Sequence, residues 1–535
     1  MEDFVDVRAK VTMSESYEWV ERQVDGTSWL VRSDYQERFL AVCQRGWRGG
    51  EVLRALPHRQ VLRCEGQPPL VVKLFRHRSF TASLKVLLRG TPAGREWKNI
   101  HQALQRGLPT AKPLAVGRTP RIVPRESVLI TELLKEAVPV DVYLFGPSRS
   151  HSSERRRAIQ EIAALIRRAH DAGFRQRDFH LGNILIRPEP ASKEIFLIDF
   201  QHADFLTRPT NKTRWRDLAA LHGGSTPGSR SDRLRFLHAY LSAPPISVDL
   251  RTLVAQLERR GLRHRYKLWQ RRAKRCLAAN REFVRIRQSG FRGSARRADW
   301  TPELEELLKL PSAGTKKGEI VKDSRTTTVA ALQIAGKTIY LKRYNYQGWP
   351  YALKDLFRSS RARRVWVAAN SCDMRGIAVA PPLAYLERRR FGFLLESHIV
   401  TAAVHGEKLS IWLKRHAREF HHKRALIHTL ARLLRRMHDR RIQNRDLKSD
   451  NLIVQAKDAD RFRVFIVDID GVRTGARVSW RRRVKNLTRL ERGFRGSAAI
   501  TRTDRLRFLR SYLGPRFGDQ WKMFWRGVSR RVGVD

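Results

Sequence analysis

The sequence predicts an α+β protein built as a tandem duplication, each copy with a β-rich N-terminal lobe and a helical C-terminal lobe. Three observations predict it. The segment Arg177-Asp178-Phe179-His180-Leu181-Gly182-Asn183 returns as Arg445-Asp446-Leu447-Lys448-Ser449-Asp450-Asn451. The apolar run that ends in Asp199 (Ile195-Phe196-Leu197-Ile198) returns as the run that ends in Asp468 (Val464-Phe465-Ile466-Val467). Upstream, the β-rich run Leu70-Val71-Val72-Lys73-Leu74-Phe75 returns as Thr338-Ile339-Tyr340-Leu341-Lys342-Arg343-Tyr344. The step from copy to copy is nearly constant, so a whole domain is repeated rather than a local motif.

Taken in order, each element has a local reason. A lysine inside a buried strand is costly unless paired, and two such lysines at one repeat offset, Lys73 and Lys342, point to a shared task. Before each Arg-Asp segment, apolar residues recur at helical spacing: Ile159, Ile162, Ile166 and Ala169, then Leu426, Leu430, Leu433 and Met437. His170 and His438 end these helices and are expected to cap them. Downstream, Ser231-Asp232 and Thr503-Asp504 are expected helix N-caps in the C-terminal lobe. Leu253 to Val284 reads as helical, basic and amphipathic. Gly290-Phe291-Arg292-Gly293-Ser294 has linker composition, which places domain 1 at residues 1–290 and domain 2 at 291–535, with a join uncertain by about twenty residues.

The spacing of the repeated residues is that of a phosphoryl-transfer site. One carboxylate must orient the attacking hydroxyl, a task for Asp178 and Asp446. An amide and a second carboxylate supply hard oxygen ligands for magnesium: Asn183 with Asp199, and Asn451 with Asp468. Asp470 is an alternative ligand to Asp468, which keeps register with Asp199. Lys73 and Lys342 are placed to hold the phosphates of ATP. A helix glutamate usually orients such a lysine, and Glu96 fits that position in the first copy. The matching position of the second copy is Val365, which predicts a weaker second site. The adenine-binding hinge is expected after Val128-Leu129-Ile130-Thr131-Glu132 in the first copy and after Phe393-Leu394-Leu395-Glu396-Ser397 in the second, which puts Glu132 and Glu396 at the nucleotide. Gly46-Trp47-Arg48-Gly49-Gly50 and Lys322-Asp323-Ser324-Arg325-Thr326 are candidate phosphate loops.

The Arg95-Glu96-Trp97 segment, the Arg-Asp…Asn loop, Leu197-Ile198-Asp199-Phe200-Gln201-His202-Ala203 and Arg214-Trp215-Arg216-Asp217-Leu218 resemble the Kdo/WaaP-type lipopolysaccharide kinases, a branch of the protein-kinase-like fold. The resemblance covers roughly residues 60–245 and 315–515. It implies an enzyme that uses ATP and magnesium to phosphorylate a sugar hydroxyl, of Kdo or heptose, in the lipopolysaccharide core. It also implies work at the cytoplasmic face of the inner membrane, as a peripheral protein. Two other readings stay open. Lys448, two residues after Asp446, is a feature of protein Ser/Thr kinases, although no Ala-Pro-Glu segment accompanies it. Val365 suits a pseudokinase half that binds a membrane or a partner.

Composition bounds the partners. The chain has 535 residues, 41% of them hydrophobic, which supports more than one folded core. No apolar run reaches the roughly 18 residues needed to cross a bilayer. Met1-Glu2-Asp3-Phe4 lacks the basic and apolar regions of a secretory leader, so a cytoplasmic location is expected. Cys43, Cys64, Cys276 and Cys372 form no CxxC pair and read as reduced thiols. Lys plus Arg is 107 against 52 Asp plus Glu, a net charge of +55. Such an excess suits an anionic partner, here a phosphorylated glycolipid or phosphosugar acceptor. The chain has no zinc-finger spacing or RNP-type aromatic motif, which argues against nucleic acid.

Overall fold

The computed structural model describes residues 18–532 apart from 45, 57, 67–68, 78–79, 122–123, 147–151, 189–192, 225–227, 243–245, 247, 346–355, 357 and 459–460. The chain forms two compact units, Met1–Arg265 and Tyr266–Asp535. Each opens with a seven-stranded antiparallel sheet and continues into a helical lobe with two smaller sheets, the predicted duplicated α+β fold.

In the first unit the strand order is Trp19–Val24, Thr27–Arg32, Pro113–Arg118, Glu126–Glu132, Leu70–Arg76, Arg59–Cys64, Glu51–Leu56. In the second it is Phe283–Gln288, Phe291–Arg296, Pro382–Arg390, Phe393–Ala402, Lys337–Tyr344, Thr327–Ile334, Glu319–Ser324. The alternation of side chains across a strand gives each sheet two faces. In the first unit one face carries Trp29, Val72 and Leu74 with Phe39, and the other carries Phe75 and Leu129 with Trp97. Trp97 and its repeat partner Trp366 are almost fully buried, and losing such an indole typically costs about 3–5 kcal/mol.

The join predicted near residue 290 is corrected. The division falls inside the helix Leu250–Ala273, and residue 290 lies in the turn of a hairpin that belongs to the second sheet. The helix expected to reach Val284 stops at Ala273, because Phe283 and Val284 pair with Arg296 and Ala295. The apparent linker glycines belong to the hairpin: Gly290 takes a positive φ of 76 in its turn, and a Cβ on Gly293 would lie 1.9 Å from Tyr385 O on the next strand.

The helices Ser152–Asp171 and Phe420–Asp439 bury the predicted faces. Their histidines do not cap them. His170 Nδ1 meets Tyr240 Oη at 2.7 Å, and His438 Nδ1 meets Tyr512 Oη at 2.7 Å, both in the core. The N-caps shift as well. Ser229 and Asp232 exchange reciprocal hydrogen bonds, as do Thr501 and Asp504, since a capping box needs its hydroxyl three residues before the carboxylate.

The buried imidazoles set an acid limit. Burial pushes His170 down to about 3 and His438 down to about 4. Between the unfolded value near 6.5 and these folded values, the unfolded chain binds more protons. Stability from these groups is therefore full above about pH 6.5 and is lost as pH falls. In the first unit Asp217 opposes this: burial lifts its carboxyl to about 6, so the folded state gains a proton first. The second unit has Asn486 at that place and no such offset. His438→Gln is therefore expected to cost about 1–3 kcal/mol at pH 7 through its lost buried hydrogen bonds. It should also shrink the stability difference between pH 7 and pH 5, as read by urea titration of the full chain at both values.

Candidate active site

In the first unit the site is assembled by one helix. Thr91 accepts a hydrogen bond from Gly94 N, and Pro92 starts the helix Pro92–Gln105. That start turns Ala93, Glu96, Trp97 and Ile100 toward the sheet. Glu96 Oε1 lies 2.5 Å from Lys73 Nζ, with side chains 0% and 12% exposed. Three residues on, Asn99 Nδ2 donates to Phe200 O at 3.0 Å and to Ala203 O at 2.8 Å. The helix thus holds the strand lysine and the segment after Asp199 together.

Asp199 has φ 64, a left-handed conformation unusual for a non-glycine residue. Gln176 Nε2 donates to its carbonyl at 2.8 Å. Its carboxylate accepts two hydrogen bonds from Arg59 Nη1, at 3.1 and 3.2 Å. Burial alone would push this carboxyl up, but Lys73 and Arg59 outweigh it and hold the group below its ordinary range. In the Arg-Asp loop, Asn183 Nδ2 donates to Asp178 O at 3.0 Å, and Ile198 N donates to Asn183 O at 2.9 Å. Asp217 fixes the loop from below by accepting from Gln176 N at 3.0 Å. Asp178 itself faces solvent, where an acceptor can reach it.

The second unit repeats the loop and rewires the lysine. Asn451 Nδ2 donates to Asp446 O at 3.0 Å and to Asp446 Oδ2 at 3.2 Å. Lys448 Nζ lies 2.9 Å from Asp446 Oδ1. Val365 occupies the place of Glu96 and is buried. Lys342 turns instead to the carboxylate of Asp470, with Asp468 Oδ1 at 3.4 Å.

The first unit thus pairs Lys73 with Glu96 and Asn183 with Asp178, and the second pairs Lys342 with Asp468 and Asn451 with Asp446; in each, a backbone bond ties the asparagine to the residue before the second aspartate. Glu132 ends the strand Glu126–Glu132 beside Arg32, at 3.9 Å. Glu396 does not match it. Lys73 pairs with Leu129 and Lys342 with Ile399, so the register partner of Glu132 is Ala402, and Glu396 corresponds to Glu126 at the other end of the sheet. There it is bound by Ser312, Arg388 and His398. Of the candidate phosphate loops, Lys322–Thr326 ends in the turn between Glu319–Ser324 and Thr327–Ile334. In the first unit the corresponding connection joins Glu51–Leu56 to Arg59–Cys64, and residue 57 within it lies outside the described residues. Gly46–Gly50 sits at the opposite end, with residue 45 and the Trp47 side chain likewise undescribed; a Cβ on Gly50 would lie 2.6 Å from Arg63 O. Arg59 escaped sequence reasoning, because its partner is 140 residues away.

Asp199 and Asn183 offer one carboxylate and one amide, hard donors of the kind magnesium accepts while keeping waters and phosphate oxygens. Among the described residues no cluster of three or more His, Cys, Asp or Glu side chains makes a metal site unaided. With the cations Lys73 and Arg59 alongside, the set fits a magnesium–triphosphate that brings its own oxygens.

The model of the lipopolysaccharide kinase (Kdo/WaaP) family matches residues 71–240 and 312–512. The lipopolysaccharide core heptose(I) kinase WaaP of Escherichia coli is 29% identical over 209 residues, covering 36% of this chain and 79% of the relative. Its counterpart in Escherichia coli strain K12 is 26% identical over 209 residues, with the same shares. A solved structure of WaaP in complex with acyl carrier protein aligns with TM-score 0.36 and 22% identity over 43% of this chain and 96% of that one.

The two glutamates separate in a test. If Lys73 holds the nucleotide phosphates, Glu96→Gln is expected to lower kcat/KM for ATP by roughly 10–100-fold, since it frees Lys73 from the position the ion pair gives it. Glu396→Gln should leave kcat/KM for ATP unchanged and show only as lost thermal stability.

Proposed function

The chain belongs to the lipopolysaccharide kinase (Kdo/WaaP) family, whose members are phosphotransferases acting on a sugar hydroxyl, and on that premise we propose that its first half is an ATP- and magnesium-dependent kinase for a heptose or Kdo hydroxyl of the lipopolysaccharide core. The observation that carries this reading is the closed Lys73–Glu96 pair beside Asp199, with the Arg-Asp loop in register. Phosphoryl transfer asks for positioning and charge neutralisation more than covalent chemistry, and this half supplies both.

Lys73 is held by Glu96 to grip the nucleotide phosphates. Arg59, at the start of the strand Arg59–Cys64, adds a second cation. Asp199 and Asn183 would hold magnesium, which when bound neutralises charge on the phosphate oxygens. Asp178 accepts a hydrogen bond from the acceptor hydroxyl and aims its oxygen along the line of attack, taking the proton as the new bond forms. The carbonyl of Asp178 is tied to Asn183, so the orienting carboxylate and the metal side stay in fixed relation. Asp178→Ala is expected to reduce transfer about 100-fold or more while leaving nucleotide binding within about twofold, because the residue touches the acceptor. Product formation from core glycolipid, followed by mass spectrometry, checks this; undiminished transfer removes the assignment.

The basic surface suits a polyanionic glycolipid at the inner face of the inner membrane. Among the described residues no helix is long and apolar enough to cross a membrane, so the proposed attachment is peripheral and electrostatic. Vesicles containing anionic lipid should bind the protein and release it steeply between low and physiological salt, and neutral vesicles should bind poorly throughout. Sedimentation with both vesicle types reads the outcome, and equal binding to the two makes the +55 charge a solvated surface.

A further inference from the structure

The loss of the helix glutamate in the second unit comes with three other changes around the same lysine. Val365 replaces Glu96. Asp470 stands where the first unit has Gln201, as fixed by the matching bonds Arg177 N to His202 O and Arg445 N to Gly471 O. Tyr344 stands where the first unit has Phe75, two residues beyond the lysine on each strand. Arg361 stands where the first unit has Pro92, at the helix start.

These changes act on one carboxylate. Asp470 Oδ2 is bonded to Lys342 Nζ. Tyr344 Oη donates to Asp470 Oδ1 at 2.8 Å. Arg361 Nη2 lies 3.8 Å from Asp470 Oδ2, with its guanidinium 4.7 Å from the centre of the Tyr344 ring. Burial pushes the Tyr344 hydroxyl well up, so it stays protonated and donates. A lysine whose partner had merely been lost would not be met by a carboxylate held from two further sides. The lysine side chain is also 20% exposed, close to the 12% of Lys73 in the first unit.

We propose that Asp470 is the positioning residue for Lys342, performing from the loop beyond Asp468 the task that Glu96 performs from the helix. The second half thereby keeps a binding site for a magnesium–nucleoside triphosphate. Asp468 and Asn451 are left to the metal, and Val365 is a relocation of the carboxylate rather than a mark of a dead site. The inference rests on the reading of Lys73–Glu96 as a nucleotide-orienting pair.

The test measures binding and not turnover, so an inactive first half does not decide it. The full-length chain carries Asp199→Asn to silence the first site, and a fluorescent ATP analogue is titrated with magnesium present. Asp470→Asn, nearly isosteric, is expected to weaken binding about 10–100-fold, the range for losing a charge-assisted hydrogen bond. Adding Val365→Glu to Asp470→Asn is expected to recover most of that loss by restoring the carboxylate to the helix. Unchanged or tighter binding by Asp470→Asn overturns the proposal, since Asp470 would then be a clamp that keeps Lys342 from the phosphates. Loss without rescue by Val365→Glu also overturns it and makes Asp470 a metal ligand. Absence of magnesium-dependent binding in the parent overturns it outright. If thermal unfolding shows that Asp470→Asn does not fold, Tyr344→Phe, the residue of the first unit, carries the test: weaker binding supports the proposal and unchanged binding overturns it.

Discussion

An ammonium group on a largely buried strand must have a carboxylate beside it, and much of each half is arranged around meeting that need. Leaving such a charge uncompensated costs several kcal/mol, so the partner's location determines which elements are tied together. In the first half Glu96 sits on the helix Pro92–Gln105, and the ion pair binds helix to sheet. The same helix reaches the loop beyond Asp199 through Asn99. Sheet, helix and loop therefore close as one triangle around the site.

The second half closes a different triangle. Its helix Arg361–Met374 has Val365 and Ala368 where the first has Glu96 and Asn99, so both polar ties of the helix are gone together. The helix is anchored away from the lysine instead, by Trp366 Nε1 to Cys276 O and by Arg296 to Asn370 and Asp373. The strand now reaches the loop directly, through Lys342 and Tyr344 to Asp470. The local charge inventory is similar in both halves: Lys73 and Arg59 with Glu96 and Asp199, against Lys342 and Arg361 with Asp468 and Asp470. The donors have moved between elements, which is a change that pairwise residue matching registers only as loss.

The loops that follow are alike for a simpler reason. Asp178 with Asn183 and Asp446 with Asn451 lie within one short turn, and the spacing alone brings the amide to the aspartate carbonyl. Beneath them a buried imidazole and its tyrosine, His170 with Tyr240 and His438 with Tyr512, support the loop from the core. Asp217 and Asn486 each accept a backbone N–H from the strand that enters it. The exchange of Asp for Asn keeps the acceptor and removes the titration, so two equivalent loops stand on foundations with different responses to acid.

The sequence by itself determined what is local or repeated: the duplication, the two Arg-Asp loops, the aspartates after the apolar runs, and the strand lysines with Glu96 and its absence at Val365. Each of these is carried by a contiguous run or by a constant offset, and strand and helix periods then place side chains without further information. Only the tertiary structure decided the rest. The misplaced Glu396 shows why. The run Phe393-Leu394-Leu395-Glu396 resembles the run that ends in Glu132, but across the sheet Ala402 stands opposite Ile339 as Glu132 stands opposite Leu70, so the local likeness falls six residues short of the position that strand pairing fixes. Arg59 meets Asp199 across 140 residues and Lys342 meets Asp470 across 128. No local pattern encodes such pairs, because they arise where separately folded strands and loops converge and a buried charge takes whichever opposite charge lies within reach.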